Sequence, residues 1–249
     1  MHFPSPPLVA RFQRRYKRFF VDAEMPDGTV LTAHCANTGS LMGCLEAGAR
    51  VWLRDSGDPK RKLRCSFQAI EVDGTWVNVD TSLPNRVVRE AFEARTIAGF
   101  EAYPSVRAEV KYGTNSRIDV LLEGGDLPPC YVEVKNTTLA QDGIALFPDA
   151  VTERGLKHLG ELTEVVRQGG RAVQLFFVSR ADVRGFRPAD SIDPAYAEGL
   201  RLAARAGVEV RAFTAQVGEQ SLELGLELPV DLGSGPLASA AKSTRRRAK

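Results

Sequence analysis

The sequence has 249 residues, of which 43% are hydrophobic and 26% charged, with a formal net charge of +2. Those proportions exclude a disordered or fibrous chain, and near-neutrality means that total charge names no partner. No apolar run reaches the roughly 20 residues of a membrane helix, and the opening MHFPSPPLVARFQRR lacks the apolar segment of a secretion signal. A cytoplasmic protein without a membrane partner is expected. Cys35, Cys44, Cys65 and Cys130 show no metal-ligand spacing and fit free thiols in a reducing compartment.

In chain order, residues 8 to 80 read as short strands broken by turns. ARFQRRYKRFFVDAEM reads as one strand that leads through Pro26-Asp27-Gly28 into TVLTAHCAN. ARVWLRDS, LRCSFQAIEV and TWVNVDT follow, the last two joined at Asp73-Gly74, a two-residue hairpin signal. About five strands with little helix predict a small closed barrel of the oligonucleotide-binding (OB) type. Its first strand interleaves cations with aromatic rings. Arg11, Arg14, Tyr16, Lys17 and Arg18 are candidates for holding phosphates and stacking bases, and Lys60, Arg61 and Lys62 form a second basic cluster. The alternative is that the rings fill the barrel and the cations are solvated.

Pro84 marks a change of pattern. PNRVVREAFEARTIAGF carries apolar residues at helical spacing, with Asn85 placed to cap it. VRAEVKYG, SRIDVLLEG and CYVEVKN read as strands, and PDAVTERGLKHLGELTEVVRQ as a helix stopped by Gly169-Gly170. RAVQLFFVS suits a strand covered on both faces. PAYAEGLRLAARAG is a second amphipathic helix and VEVRAFTAQV a further strand. The fold class is mixed α/β: an OB-like barrel over residues 1–83, then a domain over 84–233 whose central mixed sheet is flanked by helices. Residues 234–249 are small and polar and end in TRRRAK, so a disordered basic tail is expected there.

Asp119 in SRIDVLL and Glu133 and Lys135 in YVEVK are charges in the middle of strands. Alternation puts Glu133 and Lys135 on one face, and a hairpin through EGGDLPP sets Asp119 beside Glu133. Two carboxylates offer hard oxygens to Mg²⁺ or Mn²⁺, and the lysine can offset charge developing on phosphorus oxygens. Glu109 in the preceding strand is the candidate third ligand, with Glu90 and Glu93 as other acids in range. Spacing alone fits a solvated hairpin face equally well. The order of elements is more specific. A helix, three strands with Asp on the second and ExK on the third, then a helix and a strand is the order of the PD-(D/E)xK nuclease core. On that reading Asp119, Glu133 and Lys135 are the catalytic residues of a metal-dependent phosphodiesterase. Arg154 and Lys157, on the following helix, could face a DNA backbone. His158 reads as part of a solvated helix face with Glu153, Lys157 and Glu161, the alternative being a His158/Glu161 metal pair.

The runs EVKYGTNSRIDVLL, YVEVKNTTL and FPDAVTERGLKHLGEL, with CANTGSLMGCL and FRPADSIDPAY, resemble the sugar fermentation stimulation protein A family. The likeness covers nearly the whole chain apart from its C-terminal end. It implies an OB-type barrel followed by a PD-(D/E)xK nuclease-like domain. It also implies DNA binding without marked sequence preference and a regulatory role in maltose metabolism. Asp119, Glu133 and Lys135 occupy the motif positions, while Ile118 stands where the motif usually has proline. The expected partner is DNA, single- or double-stranded. Two other readings stay open: a non-catalytic DNA-binding regulator on the nuclease scaffold, and a sensor of a sugar or nucleotide.

Overall fold

A computed structural model of the chain describes residues 1–112 and 116–233. The expected basic tail, 234–249, and the centre of the YGTNS connection lie outside the described residues. The first body is built from β1 (Leu8–Tyr16), β2 (Phe20–Glu24), β3 (Val30–His34), β4 (Arg50–Asp55), β5 (Cys65–Val72) and β6 (Thr75–Asn78). The strands lie in the order β3-β2-β1-β4-β5-β6. A parallel pairing of His34 with Ser66 joins β3 to β5 and closes β1–β5 into the expected barrel, with β6 outside the ring. Phe12, Val21, Ala33, Leu53, Phe67 and Ile70 fill it, which is the alternation of inward residues that a small barrel requires.

One expectation is corrected. ARFQRRYKRFFVDAEM is a hairpin, not a strand, because the chain reverses at Lys17 and Arg18 with φ of 48° and 63°. The three-residue connection Lys17–Arg18–Phe19 between the paired Tyr16 and Phe20 contains no Gly or Asn, the residues that signal such a turn.

The second body contains α1 (Pro84–Glu93), β7 (Ser105–Tyr112), β8 (Ser116–Glu123) and β9 (Cys130–Thr137). Short strands β10 (Ala140–Gln141) and β11 (Ile144–Phe147) precede α2 (Glu153–Arg167) and β12 (Arg171–Val178). Then come β13 (Gly185–Pro188), α3 (Pro194–Arg205), β14 (Glu209–Val217) and β15 (Leu222–Glu227). The main sheet has the order β15-β14-β12-β9-β8-β7, parallel at its centre and antiparallel at both sides. α1 covers one face over Val120, Val132, Leu175 and Phe177. α2 and α3 cover the other over Ala172, Phe176 and Val178. Alternate residues of β12 thus enter two different cores, which is why RAVQLFFVS is apolar throughout. β10, β11, β13 and β15 were not legible in the sequence. The first three form a small separate sheet, and β15 is an exposed edge.

The two bodies share an interface. Asn78 N donates to Ser179 O (2.8 Å), and Asp149 accepts from Ser40 Oγ (2.9 Å) and Leu41 N (3.0 Å). The first residues of the chain pack on the second body, where Phe3 N donates to Gln220 O and Leu222 N to Met1 O. Among the described residues no helix is long and apolar enough to cross a membrane. All four cysteines are buried and free, and burial pushes the thiols of Cys44 and Cys130 up to about 11 and about 12.

Candidate functional site

β8 and β9 pair from Leu122↔Cys130 to Val120↔Val132 and part there. The Asp119 carboxylate takes over the pairing, with Oδ2 accepting from Val134 N at 2.8 Å. Alternation in β8 slips at the same residue: Val120 and Leu122 enter the α1 core, but Ile118 enters the α2–α3 core. Local disruption of this kind at a strand pair re-aims side chains. Here it turns Asp119 towards the amino end of α1, where Asn85 Nδ2 donates to its Oδ1 at 2.7 Å. Asn85 is therefore not the helix cap. Leu83 occupies that place without a side-chain bond, and Pro84 opens the helix.

Glu133 is buried, with 4% of its side chain exposed. Its Oε1 accepts from Lys135 Nζ at 2.6 Å and from His158 Nδ1. Arg154 Nε donates to the other ring nitrogen of His158 at 3.4 Å, which assigns the ring proton to Nδ1. The second carboxylate oxygen, Oε2, is buried and has no hydrogen-bond partner. Burial pushes the Glu133 carboxyl up, but the hydrogen bond from His158 and the charge of Lys135 outweigh it and hold the group below the ordinary glutamate value. Asp119 goes the other way. Burial and the neighbouring Glu133 charge raise it to about 6, against the lowering effects of Val134 N, Lys135 and Asn85.

His158 is a correction as well as an addition. It is 6% exposed, on the inward stripe of α2 with Gly155, Leu159 and Leu162. Those positions repeat at helical spacing, so the apolar stripe itself was the signal that His158 points inward. Asn85, Asp119, Glu133, Lys135, Arg154 and His158 line a cleft of 390 Å³, to which Asn37–Gly39 and Thr81 of the first body also contribute.

An oxygen-seeking cation fits this donor set. It would find the free Oε2 of Glu133 and the Asp119 carboxylate. Among the described residues no group of three or more Asp, Glu, His or Cys is placed to hold a metal. Two carboxylates completed by water or phosphate suit Mg²⁺, whereas a structural zinc site would need more protein ligands.

Two family models match the chain. One, the SfsA N-terminal OB domain, covers residues 14–79; the other, the sugar fermentation stimulation protein RE domain, covers 82–221. The chain belongs to the sugar fermentation stimulation protein family. Homologs of that name from Geobacter sulfurreducens and Citrifermentans bemidjiense are each 51% identical to it, over 94% and 92% of this chain and 100% and 99% of their own. Among solved structures, Pyrococcus furiosus SfsA in complex with Ca²⁺ has a TM-score of 0.83 and 28% identity, covering 93% of this chain and 98% of that one.

The remaining candidates of this family member are scattered. Glu109 lies apart from the cleft, 73% exposed and 3.7 Å from Arg117. Its left-handed backbone (φ 52°) takes it out of the ladder between Ala108↔Val120 and Val110↔Ile118. Glu90 is bound to Arg86 and to the chain's amino group. Arg154 lines the cleft, but Lys157 is paired with Glu161 at 3.4 Å and does not. On the barrel, Arg11 donates to Gly48 O, and Arg14 pairs with Asp22 at 2.8 Å and lies over the Tyr16 ring. Tyr16 stacks on Phe20. Lys17 and Arg18 stand exposed at the hairpin tip, and Lys60, Arg61 and Lys62 on the exposed β4–β5 connection, away from the cleft. Arg15, another cation of the same basic cluster, is tied inward. Its guanidinium donates to Arg18 O (3.0 Å), Gly39 O (2.9 Å) and Asn37 O (2.6 Å).

Proposed function

We propose that this chain is a DNA-binding protein of low sequence preference whose second body carries a Mg²⁺-dependent (or Mn²⁺-dependent) phosphodiesterase site. The observation that carries the reading is the buried, unpartnered Oε2 of Glu133 in one cleft with an Asp119 carboxyl raised by burial and by that same neighbour. Such a pair is poorly satisfied without a cation. Asp119 and Glu133 would hold the ion. Bound there, it would polarise a phosphodiester and supply a hydroxide-like nucleophile near neutral pH. Asn85 and Val134 N orient Asp119, while His158 and Lys135 fix Glu133 through Oε1 and leave Oε2 free. Lys135 Nζ, 15% exposed in side chain, is the cation placed to meet a phosphate oxygen. The Pyrococcus furiosus relative in complex with Ca²⁺ supports a hard-cation site in the family. Arg154 in the cleft and Arg18 near it supply backbone contacts that ignore sequence.

Cleavage of plasmid and single-stranded DNA, with Mg²⁺, Mn²⁺ or EDTA, tests the proposal. The wild type should cut only with metal, and Asp119→Asn and Lys135→Ala should lose cutting by at least about 100-fold while still binding. Binding without cutting by the wild type would make the chain a non-catalytic regulator, in which DNA binding alone serves maltose metabolism. Absence of DNA binding at low salt would remove both readings and leave a small-ligand sensor.

A further inference from the structure

A second hollow, of about 480 Å³, adjoins the acidic cleft. The two share Thr38, Gly39 and Thr152 as lining residues, so they are two compartments of one groove. We propose that this hollow is a nucleobase subsite, and that the chain therefore acts on a polynucleotide strand whose bases are unstacked, single or frayed, in preference to an intact duplex. The proposal rests on reading the acidic cleft as the phosphodiester site.

Four observations carry it. The walls next to the shared residues present apolar surface to solvent: Phe147 is half-buried, and Val151 is 72% exposed. The Phe147 ring is held rigid between Phe176 (5.3 Å) and Tyr196 (5.1 Å), so its free edge is a fixed surface. Arg18 stands at the mouth, exposed, and among the described residues its guanidinium makes no hydrogen bond or ion pair. The one acid of the hollow, Asp149, is already engaged by Ser40 Oγ and Leu41 N and holds the barrel loop in place.

An apolar wall with a free cation at one end and a carboxylate–lysine site at the other matches a repeating ligand of flat bases and phosphates. One phosphate would lie at Lys135, the next base in the hollow and the following phosphate at Arg18. A base stacked and paired inside a duplex cannot enter such a pocket without being extruded. The barrel thus serves as the second wall of the track, and Arg15, through Asn37 O and Gly39 O, sets its position.

The test is fluorescence anisotropy in EDTA, which prevents cutting, with labelled single-stranded oligonucleotides that each carry one abasic position, and with the matching duplex. The wild type should favour the single strand and lose roughly 5-fold or more in affinity at one abasic position, the scale of one stacked base. Val151→Glu should flatten that profile, and Arg18→Glu should weaken every oligonucleotide. Both positions are exposed, and thermal melts check that the variants fold. A wild type that binds DNA with a flat abasic profile, or that prefers the duplex, overturns the subsite and leaves the DNA reading intact. A wild type that binds no DNA overturns both.

Discussion

Asp119 is the residue at which fold and function pull apart. Its carboxyl is raised to about 6 by burial and by Glu133, so without a cation the native state holds this proton more tightly than the unfolded chain does. The stability it contributes is complete below the ordinary aspartate value and lost as pH rises through about 6. Glu133 has the opposite sign, contributing above the ordinary glutamate value and losing that contribution as pH falls. In EDTA, the melting temperature of Asp119→Asn relative to wild type should therefore climb from pH 5 to pH 8, with about 1.4 kcal/mol in play over that range. Mg²⁺ at pH 8 should raise the wild type and leave the variant unmoved. A difference that stays flat with pH would show that Asp119 titrates normally. These acids were legible because charge inside a strand breaks the pattern. The stripe of α2 shows that His158 faces inward, but its bond to Glu133 and that of Asn85 to Asp119 depend on how closely α2 and α1 approach β9 and β8.

At the scale of elements, the strands and helices that carry the site follow from periodicity, while its irregularities do not. The parting of β8 from β9 at Asp119 and the left-handed turn at Lys17-Arg18 carry no Gly, Asn or Pro signal in the sequence. The loop Asn37–Ser40 shows the same limit. It reads as a turn-rich connection, yet it is fixed from one side by Arg15 and from the other by Asp149. Arg15→Ala removes a planar donor that bonds the backbone carbonyls of Arg18, Asn37 and Gly39 and should cost about 1–3 kcal/mol in denaturant unfolding. Arg15→Lys should recover only part of that, because an ammonium cannot span the three acceptors in one plane. If Lys restored full stability, the loop would need only a positive charge there.

For the whole molecule, the barrel and the second body are each legible in order along the chain, but their docking is not. It depends on contacts such as Asn78 with Ser179 that lie about a hundred positions apart in sequence. That docking decides which cations can reach a strand. Arg14 is neutralised by Asp22 and Lys157 by Glu161, and Lys60, Arg61 and Lys62 stand away from the cleft. Arg18, Arg154 and Lys135 remain along the groove. Each phosphate contact on a single strand contributes a slope of about −0.7 to the dependence of log affinity on log salt, so three predict about −2. A barrel-wide grip that also used the β1 and β4–β5 cations would be much steeper. Anisotropy titrations at several salt concentrations separate the two. Arg18→Ala or Arg154→Ala should each reduce the slope by about 0.7, whereas Lys60→Ala should leave it unchanged. A steep slope that Lys60→Ala lessens would move the DNA track off the groove and onto the open face of the barrel.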